Sequence, residues 1–340
     1  MIRCPKIRSL LVAVLAALIL VSSVSLGVAG EILVSDRLTN SVFRYSESGT
    51  FLGTLLTDNV NLNQPSGIEV SPDGTKLYVA SSQTNQVIEY DYDYAAGTAT
   101  NPSVFASAGL SFPNSISFSP DGCRVYVSNL GGTGVAQFKP DGTSSGAAVN
   151  GVVAGGSIFQ FSGLAFAPTG ELIVGGFQDF PAGTSGAVAK SDAGITTLSD
   201  FIAPAATLNG VGDILVVGND LYVTAGFAGR VDKYDATTGA LDGGFTPITG
   251  LAFPASILAA PDGNGILVGT LGFADGTGSI LRYGFDGTPL GVFAAAQLDP
   301  MNGFTEPTAM TYVVPEPTAF ALFAFGCAFP LLRRRRRYAA

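Results

Sequence analysis

Ser71-Pro72-Asp73-Gly74-Thr75-Lys76-Leu77-Tyr78-Val79-Ala80 returns 48 residues later as Ser119-Pro120-Asp121-Gly122-Cys123-Arg124-Val125-Tyr126-Val127-Ser128. The end of this stretch is two apolar residues, a Val and a small residue, and that pattern occurs six times. The other copies are Ile32-Leu33-Val34-Ser35, Leu172-Ile173-Val174-Gly175, Leu221-Tyr222-Val223-Thr224 and Ile266-Leu267-Val268-Gly269. From Val to Val the steps are 45, 48, 47, 49 and 45 residues, a period that marks a repeat architecture. Each copy is short, apolar on both faces and rich in β-branched or aromatic residues. That suits a strand covered on both sides, as a propeller blade is by its neighbours.

Upstream of most copies lies a second strand pattern and a turn. Pro65-Ser66-Gly67-Ile68 and Pro113-Asn114-Ser115-Ile116 lead into Pro-Asp-Gly turns, as does Pro254-Ala255-Ser256-Ile257 into Pro261-Asp262-Gly263. Proline presets φ and the glycine tolerates positive φ, so these read as hairpin turns. Downstream comes a third strand, seen in Val42-Phe43-Arg44-Tyr45 and Val231-Asp232-Lys233-Tyr234, and then a more variable fourth. Four antiparallel strands per unit is the composition of a propeller blade.

The two ends of the array are incomplete in a complementary way. The chain enters at Glu31 directly on the repeated strand, whereas Pro307–Val313 resembles a first strand that stops. One blade is therefore expected to be shared, its inner strand from 307–313 and its other strands from 31–56, which leaves no open inner edge. Residues 31–313 hold 283 positions, about 5.9 periods of 48. The fold class is thus all-β, a six-bladed β-propeller; a seven-bladed ring, the alternative, needs a period near 40.

Composition narrows function. The chain has no His and no Trp, which removes the Ser-His-Asp and Cys-His nucleophile systems and makes a zinc site improbable. Residues 31–314 carry nine basic and 25 acidic side chains, a net of −16. Such a surface repels nucleic acid and anionic lipid and tolerates divalent cations. Only Cys123 of the three cysteines lies in the repeats, so no disulfide can form within them.

Both ends read as addresses. Residues 1–29 have a basic start, an apolar run from Leu10 to Val21 and small residues up to Ala29, the form of a signal peptide cut by signal peptidase after Ala29. An uncleaved anchor helix is the alternative. Residues 314–340 carry Pro315-Glu316-Pro317, an apolar segment over 318–332, and Arg333, Arg334, Arg335, Arg336 and Arg337. The arginines orient the segment with its end in the cytoplasm and residues 30–313 outside. The order of these three parts resembles the PEP-CTERM sorting signal of Gram-negative bacteria. The resemblance implies recognition by an exosortase, removal of the tail, and delivery to the envelope, cell surface or extracellular matrix. Membrane contact is then confined to the C-terminal segment before processing; a plain tail anchor is the alternative.

The body, through Ser71–Ala80 and its copy from Ser119, resembles the YVTN, NHL and gluconolactonase-like propellers. The last of these implies a divalent ion, usually calcium, held in the channel by oxygen ligands just before the inner strands. Asn114 and Asn209 stand at that position here, with Ser66, Ser162, Ala255 and Thr308 as equivalents. Glu306 is two residues out of register, and Glu69 and Asp213 fall within inner strands. The metal candidates are therefore Asn114, Asn209 and Glu306. The sequence requires no cofactor, although calcium would suit these donors. It favours a non-enzymatic binding or matrix module, for exopolysaccharide or a protein partner, with a calcium-dependent lactonase-like hydrolase carrying its metal in the central channel as the alternative.

Overall fold

The computed structural model describes residues 29–132, 134–151, 160–177, 185–272, 278–295 and 304–314. Residues 1–28 and 315–340, which hold nearly all of the expected signal peptide and sorting signal, lie outside the described residues. Six sheets stand around one axis, antiparallel except where the short strand Asn150–Gly151 pairs parallel with Thr197–Ala205 at the edge of one of them. Their innermost strands are Pro65–Val70, Pro113–Phe118, Gln160–Phe166, Val211–Val217, Pro254–Ala259 and Pro307–Val313, and each abuts the next around a closed circle. The blades are numbered one to six in that order.

The six repeated segments are the second strands of the blades: Lys76–Ser81, Val125–Asn129, Leu172–Phe177, Asp220–Ala225, Ile266–Thr270 and Glu31–Asp36. Their apolar side chains are fully buried, as Leu77, Val79, Val127, Ile173 and Val268 show at 0% exposure. The position after the Val is small because the next blade presses on it. A Cβ on Gly175 would lie 2.3 Å from Val211 Cγ1. Where the position is Ser, it bridges blades: Ser35 Oγ donates to Ser66 O at 2.6 Å, and Ser128 Oγ to Ser162 O. Innermost strands add bonds of the same kind, Ser66 Oγ to Pro113 O at 2.8 Å and Thr308 Oγ1 to Pro65 O at 2.9 Å.

These hydroxyls are needed because every innermost strand carries an irregularity in its ladder to the second strand near its start, for instance between Pro65 and Ile68 and between Val211 and Ile214. A bulge leaves backbone groups without a ladder partner, and a buried carbonyl must find one. The Pro-Asp-Gly turns close as expected: Gly74 N–H bonds to Ser71 O at 2.8 Å with Gly74 at φ 70°, and Gly263 N–H to Ala260 O at 2.9 Å.

The sixth blade is the shared one. Pro307–Val313 pairs antiparallel with Glu31–Asp36, Met310 opposite Val34 and Val313 opposite Glu31. Asp36, fully buried, latches it by accepting from the N–H groups of Leu38 and Thr39 on one side and Thr305 and Glu306 on the other. The second blade departs from four strands. After Val135–Phe138 its outer edge is reduced to the bridges Val135–Val149 and Phe138–Ser144. The Gly- and Ser-rich run 142–146 offers little side chain to hold a fourth strand there.

Candidate functional site: the axial channel and its mouth

Register across the blades is set by Ile68, Ile116, Leu164, Ile214, Ile257 and Met310, each opposite the Val of its second strand. Two positions earlier stand Ser66, Asn114, Ser162, Gly212, Ala255 and Thr308. All six line one cavity of about 520 Å³ at an end of the channel. One position earlier stands Asp213, and one position later Glu69. The first and fourth blades are three steps apart in a ring of six, so Glu69 and Asp213 occupy opposite walls of the axis.

Among the described residues neither carboxyl meets a basic group. The Asp213 oxygens accept the N–H of Ile214 at 2.9 Å and of Ile257, in the next blade, at 3.1 Å. Burial nonetheless pushes its pKa up to about 7, the two N–H bonds offsetting part of the rise. The Glu69 carboxyl makes no hydrogen bond or ion pair among the described residues. Burial, and then the charge of Asp213, push it up to about 8. Both residues are half-buried, as expected of side chains that border a narrow lumen.

The mouth is shaped by backbone strain. Gln64, Phe112 and Phe253 each precede an inner-strand proline, and each has positive φ, at 54°, 47° and 54°. A following proline disfavours the right-handed helical region, and a left-handed non-glycine residue costs on the order of 1 kcal/mol. All three line the cavity. Strain repeated at one place in three blades points to a geometry held for use. Phe112 is 41% exposed. On another arc Phe177, Phe227 and Phe253 stack edge to face, at centroid distances of 6.0 and 5.0 Å. Gly226 lies beneath Phe253, where a Cβ would come within 2.8 Å of the ring.

Among the described residues, Arg37 is the one charged residue lining the cavity. It is ion-paired with Glu306, whose side chain is 5% exposed.

The residues singled out as metal ligands are not brought together. Asn114 lines the cavity, and Glu306 is held by Arg37. Asn209 lies in the connection before Val211, at the end of the 3₁₀ turn Ala206–Leu208, with its side-chain oxygen buried and unpartnered. The residue in register with Asn114 is Gly212 rather than Asn209, a difference of three positions that the inserted turn produces. Among the described residues no group of three or more His, Cys, Asp or Glu is placed to hold a metal ion. The aromatic arc, Arg37 and the pairing of Glu69 with Asp213 are the features that the sequence reading did not assemble. The shared pre-proline position of Gln64, Phe112 and Phe253 was the available signal for the first of them.

The family described as SMP-30/Gluconolactonase/LRE-like region matches residues 27–150, less than half of the chain. No curated protein sequence matches significantly. Among solved structures, one of a nidogen/laminin complex is similar with a TM-score of 0.61 at 12% identity, over 84% of this chain and 98% of that one. A protein of Bacteroides uniformis, provisionally assigned as a 6-phosphogluconolactonase, gives 0.56 at 15% identity over 84% and 99%. One from Bacteroides fragilis with the same provisional assignment gives 0.55 at 15% over 84% and 98%. At these identities the solved structures share the fold alone: the chain is a six-bladed propeller whose residues 27–150 are similar to the SMP-30/gluconolactonase/LRE-like region.

Proposed function

We propose that the chain is a lactonase-like hydrolase whose reacting groups lie in the channel, fed from the cavity at its mouth. One observation carries this reading: two carboxyl groups face each other across the axis, without a basic partner, and burial moves both toward neutral pH. A carboxyl that titrates near the working pH is suited to pass a proton to and from a substrate. Asp213 is aimed by two backbone N–H groups, and its remaining lone pairs stay available. Glu69, whose carboxyl is unpaired among the described residues, is the second group. The matched family region supports a lactone as substrate.

Calcium is the ion that such propellers imply, and the donor set has to be tested against it. Hard cations prefer carboxylate and amide oxygens. Glu69 and Asp213 fit, with Asn114 one position above Asp213; Glu306 does not, since it already neutralises Arg37. A calcium ion held there would polarise a lactone carbonyl. The first test is a thermal scan in EDTA and then in calcium, with hydrolysis of a panel of sugar lactones followed by acid release. A rise in midpoint and hydrolysis lost in D213N support the reading; no rise and no hydrolysis overturn it.

The half-exposed Phe112 and the stacked Phe177–Phe227–Phe253 arc favour a second reading, a binding module for polysaccharide or a protein partner. Aromatic faces stack on the apolar faces of sugar rings. Retardation of the protein in polysaccharide-loaded gels, lost in F112A, tests it. With either function we propose export and sorting to the envelope. Mass spectrometry of the mature protein should find Arg333–Arg337 removed.

A further inference from the structure

The start of the described chain is fitted into the ring where the ring closes. Gly30 is buried, and its N–H donates to Glu47 Oε1 at 3.0 Å. The same oxygen accepts the hydroxyl of Tyr312, on the closing strand Pro307–Val313. A Cβ on Gly30 would lie 2.4 Å from the Tyr312 hydroxyl and 2.5 Å from its ring, so any larger residue there has to displace the end of the Tyr312 side chain. Beside it, Tyr94 of the first blade donates to Ala29 O, and Glu31 is closed off by Arg44 and Tyr92. The seat thus joins the β-turn carrying Glu47, the last strand of the chain and the neighbouring blade.

We propose that this seat is built for a processed N-terminus: cleavage between Ala29 and Gly30 leaves the Gly30 ammonium held by Glu47. The proposal rests on the export reading and is independent of the hydrolase. Hydrolysis breaks the Ala29 carbonyl–Gly30 nitrogen bond. Water supplies an oxygen to Ala29, which leaves as a carboxylate, and protons to the nitrogen, which becomes an ammonium. An amide with one hydrogen is thereby replaced by a cation with three. Its contact with Glu47 becomes a charge-assisted bond, about twice as strong as a neutral one. Because Gly30 is buried against Tyr312 in the folded ring, the cut comes before closure. Closure then places the new terminus against the last strand, and processing strengthens the joint that holds the ring shut. A cut one residue later would leave Glu31 without the residue that fills the seat.

The test has two parts. The exported full chain is recovered and its first residue determined; Gly30 is expected, and Ala29, Glu31 or an uncut chain overturns the proposal. Next, exported chains starting at Gly30 and at Ala29 are compared by thermal unfolding, each with Glu47 and with E47Q. Both keep a donor at the Gly30 nitrogen, but only the first places a charge there. The Gly30 start should melt about 2–4 °C higher, and E47Q should abolish that difference. Tyr312→Phe, which removes the second donor to Glu47 while keeping the ring, should leave the difference in place. Equal midpoints for the two starts, or an E47Q effect of the same size on both, would show a structural hydrogen bond only and sink the idea.

Discussion

Replacing Glu69 by Gln should make the protein more stable in mild alkali. The folded chain raises Glu69 from 4.5 to about 8. Between those values the folded state keeps a proton that the unfolded state has lost, so stability falls as pH rises through the window. It is fully present below the unfolded value and gone above the folded one. At about 1.4 kcal/mol per pH unit, and allowing for the channel's partial access to solvent, the loss from this group is about 3–5 kcal/mol. Asp213 adds a window of its own, from 3.8 to about 7. In E69Q the first loss disappears and the second remains. Urea unfolding in EDTA at pH 5, 7 and 9 reads this out. The chain has no Trp and 11 Tyr, so far-UV circular dichroism or Tyr fluorescence serves as the probe. Wild type and E69Q should be similar at pH 5, with the variant ahead at pH 9 by about 1 M in midpoint, given m-values of about 3 kcal/mol/M. Added calcium should close that gap if both carboxylates hold the ion. Parallel loss of stability in the two proteins from pH 5 to 9 would refute the burial of the Glu69 carboxyl in the channel.

Other outcomes follow from single contacts. D36A removes the acceptor for four backbone N–H groups at the shared blade; a loss of about 3–5 kcal/mol is expected, with limited proteolysis cutting first near residues 304–314. Gly175→Ala forces a Cβ against Val211 between the third and fourth blades, and should cost about 1–3 kcal/mol in chemical denaturation. R37M strands the buried Glu306 carboxylate, whereas R37M with E306Q does not, so the double variant should unfold at higher urea than the single one.

The parts of this fold that could be read from the sequence are those set by local backbone rules. Val79 and Val127 stand in equivalent strands because the same turn, Pro-Asp-Gly, places them there. The shared blade was legible because Pro307–Val313 lacks the strand that Glu31–Asp36 brings. Asn209 was misplaced by three positions because the fourth blade has no proline at its inner strand, and a 3₁₀ turn takes up the slack. Arg37 and Glu306 are 269 residues apart, and only the register of the closing strand makes them partners. The channel pair shows most sharply why chemistry lags behind fold. Glu69 and Asp213 sit at different positions in their repeats, one after and one before the residue opposite the Val. No periodic alignment brings them together. What does is the blade count. In a ring of six, the first and fourth blades are opposite, and a side chain from each reaches the same axis. In a ring of seven no blade has a direct opposite, and the same two acids would sit obliquely in a wider channel. The number of repeats, a property of the whole chain, therefore decides whether these two carboxyls can act as a pair.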